Sequence, residues 1–106
     1  MAMRLDCEII SQDYLPALRS ALAKELSNGG MSQKSVADAL GTSQPAVSQY
    51  LRDLRGAKNH FTSDQELLQM LQEICRKISE KEIDSEGLKK EMLAICQFAL
   101  KKKTAV

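Results

Sequence analysis

The sequence predicts an all-α fold, a five-helix domain, from three observations. Apolar residues recur at three- and four-residue spacing through most of the 106 residues, which is the period of a helix with one buried face. Capping residues and glycine stops punctuate the chain at matching intervals. Residues 5–10 apart, no stretch alternates with period two for long enough to argue for a strand.

Each element follows from its own residues. Leu15, Leu18, Leu22 and Leu26 form one stripe, with Asp13 placed to cap it and Pro16 tolerated in a first turn. Asn28-Gly29-Gly30 stops that helix. Ser32 caps a short second helix whose Val36, Ala37 and Leu40 face inward, and Gly41 ends it. Thr42-Ser43 starts a third with Pro45 in its first turn and Val47, Tyr50, Leu51 and Leu54 as its apolar face, closed by Gly56. Residues 56–62 read as a polar linker. Ser63-Asp64-Gln65-Glu66 has the form of a capping box with Ser63 at the cap. Behind it Leu67, Leu68, Leu71, Ile74, Cys75 and Ile78 make a fourth amphipathic helix. Asp84 or Ser85 caps a fifth, on which Leu88, Met92, Leu93, Ile95, Cys96, Ala99 and Leu100 are apolar. The Lys101–Lys103 run at its end opposes the helix dipole.

Composition narrows the function. At 106 residues with 43% apolar and 27% charged side chains, the chain has the size of one small domain, too short for barrels or doubly wound sheets. No apolar run approaches a membrane span, and the first residues lack an export signal, so a cytoplasmic address is expected. His60 is the single histidine, and Cys7, Cys75 and Cys96 are scattered without a Cys-x-x-Cys pair. No nucleophile–base pair, metal-ligand cluster or phosphate-binding glycine loop is visible, so neither an enzyme nor a metal or cofactor site is expected. Cys75 and Cys96 share stripes with leucine, isoleucine and methionine, the setting of structural buried thiols; a redox or cluster role is the minority alternative. The net charge of +1 is unevenly spread. Lys34, Arg52, Arg55 and Lys58 against Asp38 and Asp53 give +2 over residues 32–63, whereas residues 1–31 sum to −1 and residues 64–106 to zero. That local excess is what phosphate affinity depends on.

The segment Gln33 to Arg52, QKSVADALGTSQPAVSQYLR, carries the functional information. Ala37 is small enough to let two helices cross closely, Gly41 supplies a left-handed turn, and Val47 is a branched plug between them. Ala, Gly and Val at this spacing, coinciding with caps and apolar faces, resemble a helix-turn-helix of the phage-repressor type. The motif implies a recognition helix at about 44–54 that reads the DNA major groove. By that resemblance Gln33 touches a phosphate, Gln44 reads a base, and Ser43 and Gln49 also face the groove. A glutamine amide matches the donor and acceptor of an adenine edge. Pro45 departs from the side chains of such repressors and offers apolar contact alone. Ser48 lies on the same outward face, and Lys34, Arg52 and Lys58 are the basic residues placed to position the protein on phosphates.

A wider resemblance rests on Cys7-Glu8-Ile9, Tyr14-Leu15-Pro16-Ala17-Leu18-Arg19, Ala23-Lys24-Glu25-Leu26 and Thr42-Ser43-Gln44-Pro45-Ala46-Val47-Ser48-Gln49-Tyr50-Leu51. These are similar to a group of predicted archaeal transcriptional regulators, in some of which the domain precedes a thiamine-phosphate synthase domain. The chain is too short to hold that second domain, and no thiamine sensing is expected of it. Relatives often carry a Cys-x-x-Cys near the C-terminus, where this chain has Leu93 and Ala99 on either side of Cys96.

The expected function is a sequence-specific DNA-binding transcriptional regulator acting on double-stranded DNA as a homodimer, with no membrane partner. Residues 1–62 form the helix-turn-helix DNA-binding region and residues 63–106 a C-terminal helical pair for core completion and dimerisation, through exposed parts of Leu67, Leu71, Leu88 and Met92. The modest positive charge leaves one alternative, a helix-turn-helix protein-interaction adaptor without base readout.

Overall fold

The computed structural model describes Met3 and residues 5–52 and 60–104. It is all-α, and the described residues contain no strand. The helices are α1 (Asp6–Ile9), α2 (Leu15–Asn28), α3 (Gln33–Leu40), α4 (Gln44–Arg52), α5 (His60–Ser63), α6 (Gln65–Ser79) and α7 (Ser85–Thr104). α1 and α2 are joined without a break by a π-helical turn at Ile10–Tyr14, so five helices of two turns or more account for the fold.

The N-terminal segment differs from its sequence reading. Of residues 5–10, the one candidate strand, all but the extended cap Leu5 are helical, and the helix begins at Asp6 rather than behind Asp13. The Glu8 carboxylate accepts the Leu5 N–H at 3.2 Å, satisfying one of the donors that a helix start leaves open. Asp13 lies inside the π turn. There Leu15 N–H bonds to the carbonyl of Ile10, five residues back. The extra residue widens the backbone one step before Pro16, whose ring has no N–H and would clash with the carbonyl four residues earlier. The sequence reading placed Pro16 near a helix start because it is most tolerable there. The π turn lets the helix pass instead.

α2 is the centre of the molecule. Its Leu18, Leu22 and Ala23 are completely buried, and Leu26 nearly so. α4, α6 and α7 all pack on it, so one hydrophobic core runs through the N-terminal and C-terminal helices alike. Phe61 adds what the polar-linker reading missed. Residues 60–63 are a helical turn, and Phe61 is fully buried with its ring edge-on to Tyr14, centroids 6.4 Å apart at 89°. The cap of α6 also differs by one residue. Asp64, not Ser63, is the cap, its Oδ1 accepting the N–H groups of Glu66 at 2.9 Å and Leu67 at 3.2 Å. Lys102 from the far end of α7 reaches Asp64 Oδ2 at 2.9 Å and Glu66 Oε1 at 3.0 Å, and its hydrogen bond holds the Asp64 carboxyl below its ordinary range. Asp64 thus requires a carboxylate where a hydroxyl would serve only the helix start.

Three helices end in the same hydrogen-bonded motif, in which a left-handed residue closes the last turn. Gly30 (φ 99°) ends α2 with Met31 N–H on the Leu26 carbonyl, and Gly41 (φ 66°) ends α3 with Thr42 N–H on the Ala37 carbonyl. At the end of α6 the left-handed position is Lys81, φ 57°, with Glu82 N–H on the Lys77 carbonyl. A side chain there is strained against its own backbone. Lys81→Gly is therefore expected to raise stability by about 1 kcal/mol in urea unfolding. A loss of stability would show that the lysine side chain contributes more than its backbone costs.

Candidate nucleic-acid interface

The caps of α3 and α4 and the turn between them place the helix-turn-helix. Ser32 Oγ accepts the Ser35 N–H at 3.2 Å to start α3, and Ser43 Oγ accepts the Ala46 N–H at 3.2 Å to start α4. Between them the left-handed Gly41 turns the chain without strain. Val36, Ala37 and Val47 are buried where α3 and α4 meet α2. The roles read from the sequence for Ala37 and Val47, a small crossing residue and a plug, correspond to these positions.

One positioning residue escaped the sequence reading. Ser20, fully buried in α2, donates its hydroxyl proton to the Tyr50 carbonyl at 3.0 Å. That carbonyl belongs to α4, the helix that packs on α2. Ser20 thereby ties α4 to the central helix. A lone serine between Leu18 and Leu22, with Ala21 and Ala23 just after it, was the available signal.

With its inner face fixed, α4 presents Gln44, Pro45 and Gln49 to solvent, with Ser48 half-buried on the same side. Their spacing of one, four and five residues is that of a single helical face. Arg52 continues that face at its end, exposed, with Nε donating to the Ser48 carbonyl at 3.3 Å. Ser43 is exposed, but its hydroxyl oxygen already serves the helix cap, so it has a proton to donate and little acceptor capacity left. Gln33 and Lys34 are exposed in the first turn of α3. The structure thus brings Ser43, Gln44, Pro45, Ser48, Gln49 and Arg52 onto one helix and puts Gln33 and Lys34 on its neighbour. Lys58, like Leu54 and Arg55, lies outside the described residues.

The thiols stand apart from this surface. Cys75 and Cys96 are buried, and burial pushes both up to about 12. Cys7 is exposed. Among the described residues no group of three His, Cys, Asp or Glu side chains is arranged to hold a metal ion. With so little thiolate at neutral pH, Cys75 and Cys96 are expected to resist iodoacetamide in the folded protein while Cys7 is labelled, and to react only in denaturant. Labelling of either buried thiol at the rate of Cys7 would contradict that arrangement.

Comparison with known proteins agrees with the motif. Residues 21–56 match the family of winged helix-turn-helix DNA-binding domains. The match runs from the middle of α2 through α3 and α4, the three helices just described, and ends at residue 56. The chain therefore carries a helix-turn-helix of DNA-binding type. No curated protein and no solved structure matches the chain. No helix of the described residues is long and apolar enough to cross a membrane.

Proposed function

We propose that the protein is a sequence-specific, DNA-binding transcriptional regulator of the cytoplasm that reads the major groove with a recognition helix at about 44–54. The observation that carries this reading is the polar face of α4, held outward by a buried inner face, within a segment that matches DNA-binding helix-turn-helix domains. Gln44 opens the recognition helix and reads a base; Ser48 and Gln49 face the groove one turn on; Pro45 and Ser43 fill the space beside them. Gln33, Lys34, Arg52 and Lys58 contact the phosphates.

Within this proposal the domain is of the phage-repressor type. A long helix precedes the motif, a helical turn lies at His60–Ser63 beyond it, and the described residues hold no strand to serve as a wing. The kinship with predicted archaeal regulators rests on the sequence segments quoted above. The protein acts as a homodimer on two half-sites, with residues 1–62 on the DNA and residues 63–106 completing the core and pairing the copies. The contacts for that pairing need revision. Leu67, Leu71 and Leu88 are buried within one chain, and Met92 is half-buried, whereas Leu93 is 47% exposed on the outer side of α7. Among the described residues of the C-terminal helices, Leu93 is accordingly the exposed large apolar residue available to a second copy.

Selection from random duplex DNA by the full chain tests both parts. The expected product is an inverted repeat with half-site centres about one helical turn apart. No enrichment over input would defeat the reading and favour the protein-interaction adaptor. A single enriched half-site would retain base readout and remove the homodimer.

A further inference from the structure

A cleft of about 750 Å³ opens between the end of α3 and the α6–α7 turn, away from the polar face of α4. Its volume is in the usual span of small-molecule sites, roughly 300–1,000 Å³. Met31, Leu40, Ile78, Ile83, Leu88 and Met92 form the apolar walls. The charged groups around it are Arg19, Lys81 and Lys89 against Asp38 and Asp84, an excess of one positive charge. Two of these five already have partners. Asp84 Oδ1 accepts the Gly87 N–H at 2.7 Å as the cap of α7, and Lys89 lies 3.4 Å from Glu86. Arg19 is different. It is half-buried on α2, lines the cleft, and makes no hydrogen bond or ion pair with the described residues.

A guanidinium partly withdrawn from water has five donors to satisfy, and a carboxylate meets two of them at once. The α7 N-terminus, the positive end of a 20-residue helix, opens on the same cleft. Two flexible methionines, Met31 and Met92, make walls that adapt to an apolar body. We propose that this cleft binds a small amphipathic organic anion, its carboxylate held by Arg19 and its apolar body by Met31, Leu40, Ile83 and Met92. Because Gly41 also lines the cleft, the bound anion lies against the turn of the helix-turn-helix. The inference concerns the cleft alone and is independent of whether the protein binds DNA.

The test uses the full chain without DNA, titrated with decanoate below its micelle concentration and followed by methyl signals in NMR spectra. Saturable shifts at Met31, Leu40, Ile83 and Met92 are expected with decanoate, and affinity about tenfold weaker or less with decyltrimethylammonium. Arg19→Gln should weaken decanoate about tenfold with an unchanged thermal midpoint. Ala39→Phe fills the cleft from the α3 side and should abolish the shifts, so the site remains testable if Arg19→Gln lowers the midpoint. Equal binding of the cationic amphiphile, undiminished binding by Ala39→Phe, or unchanged affinity in a folded Arg19→Gln would overturn the proposal. Tighter binding of leucine than of decanoate would also overturn it, by assigning the cleft to a zwitterion paired with both Arg19 and Asp38.

Discussion

Phe61→Ala is expected to lower stability by about 3–5 kcal/mol, the largest loss from any single truncation outside the centre of α2. The side chain is fully buried and meets the ring of Tyr14 edge-on, so removal loses apolar burial and an aromatic pair together. Collapse of the cavity is limited because α5 is a single turn between two fixed partners, α2 and α6. The loss is close to the whole stability of many domains of this size, so the variant should be largely unfolded at physiological temperature. Urea denaturation of Phe61→Ala beside Gln72→Ala, an exposed change on α6 expected within about 0.5 kcal/mol of the parent, supplies the comparison. A loss under about 1 kcal/mol for Phe61→Ala would mean that residues 60–63 do not hold the place in the core assigned to them.

Gln44→Ala is expected to flatten base preference at one position of each half-site, by about 1–3 kcal/mol against the preferred base, while other positions keep theirs. Gln44 is the first residue of α4 and is exposed, with the helix N-terminus directed outward behind the Ser43 cap. A side chain there extends beyond the helix end and its amide can pair with both groups of an adenine edge. Arg52→Ala has a different signature. Its charge acts on phosphates, so all sequences weaken alike and the salt slope falls by about one unit. Binding to a selected operator, its single-base variants and a salt series separates the two. Equal weakening of every duplex by Gln44→Ala would place that residue on the backbone and require a different docking of α4.

These two expectations draw on different kinds of information. Gln44 was identified in the sequence because its position follows from local rules: a glycine turn, a serine cap and an apolar stripe leave it at the open end of a helix. Phe61 was not, since a lone aromatic between Asn59-His60 and Thr62-Ser63 has no periodic neighbours to signal burial. The Arg19 cleft was equally invisible. It is formed by α2, α3, α6 and α7 together, and nothing local joins Arg19 to Met92.

The sequence by itself determined the helical class, the order of the five main helices, the turn at Gly41 and the outward face of α4. Each is set by interactions within a few residues, where periodicity, caps and backbone preference agree. Only the tertiary structure decided that the chain from Asp6 to Asn28 runs as continuous helix through a π turn just before Pro16, and that Asp64 caps α6. It also decided that Phe61 is core, that Ser20 holds the Tyr50 carbonyl, and that Leu67, Leu71 and Leu88 face inward rather than a second copy. The physical reason is common to these cases. Each outcome depends on a partner distant in sequence: Tyr14 for Phe61, α4 for Ser20, and Lys102 for Asp64, where a carboxylate has a cation to meet and a serine hydroxyl does not.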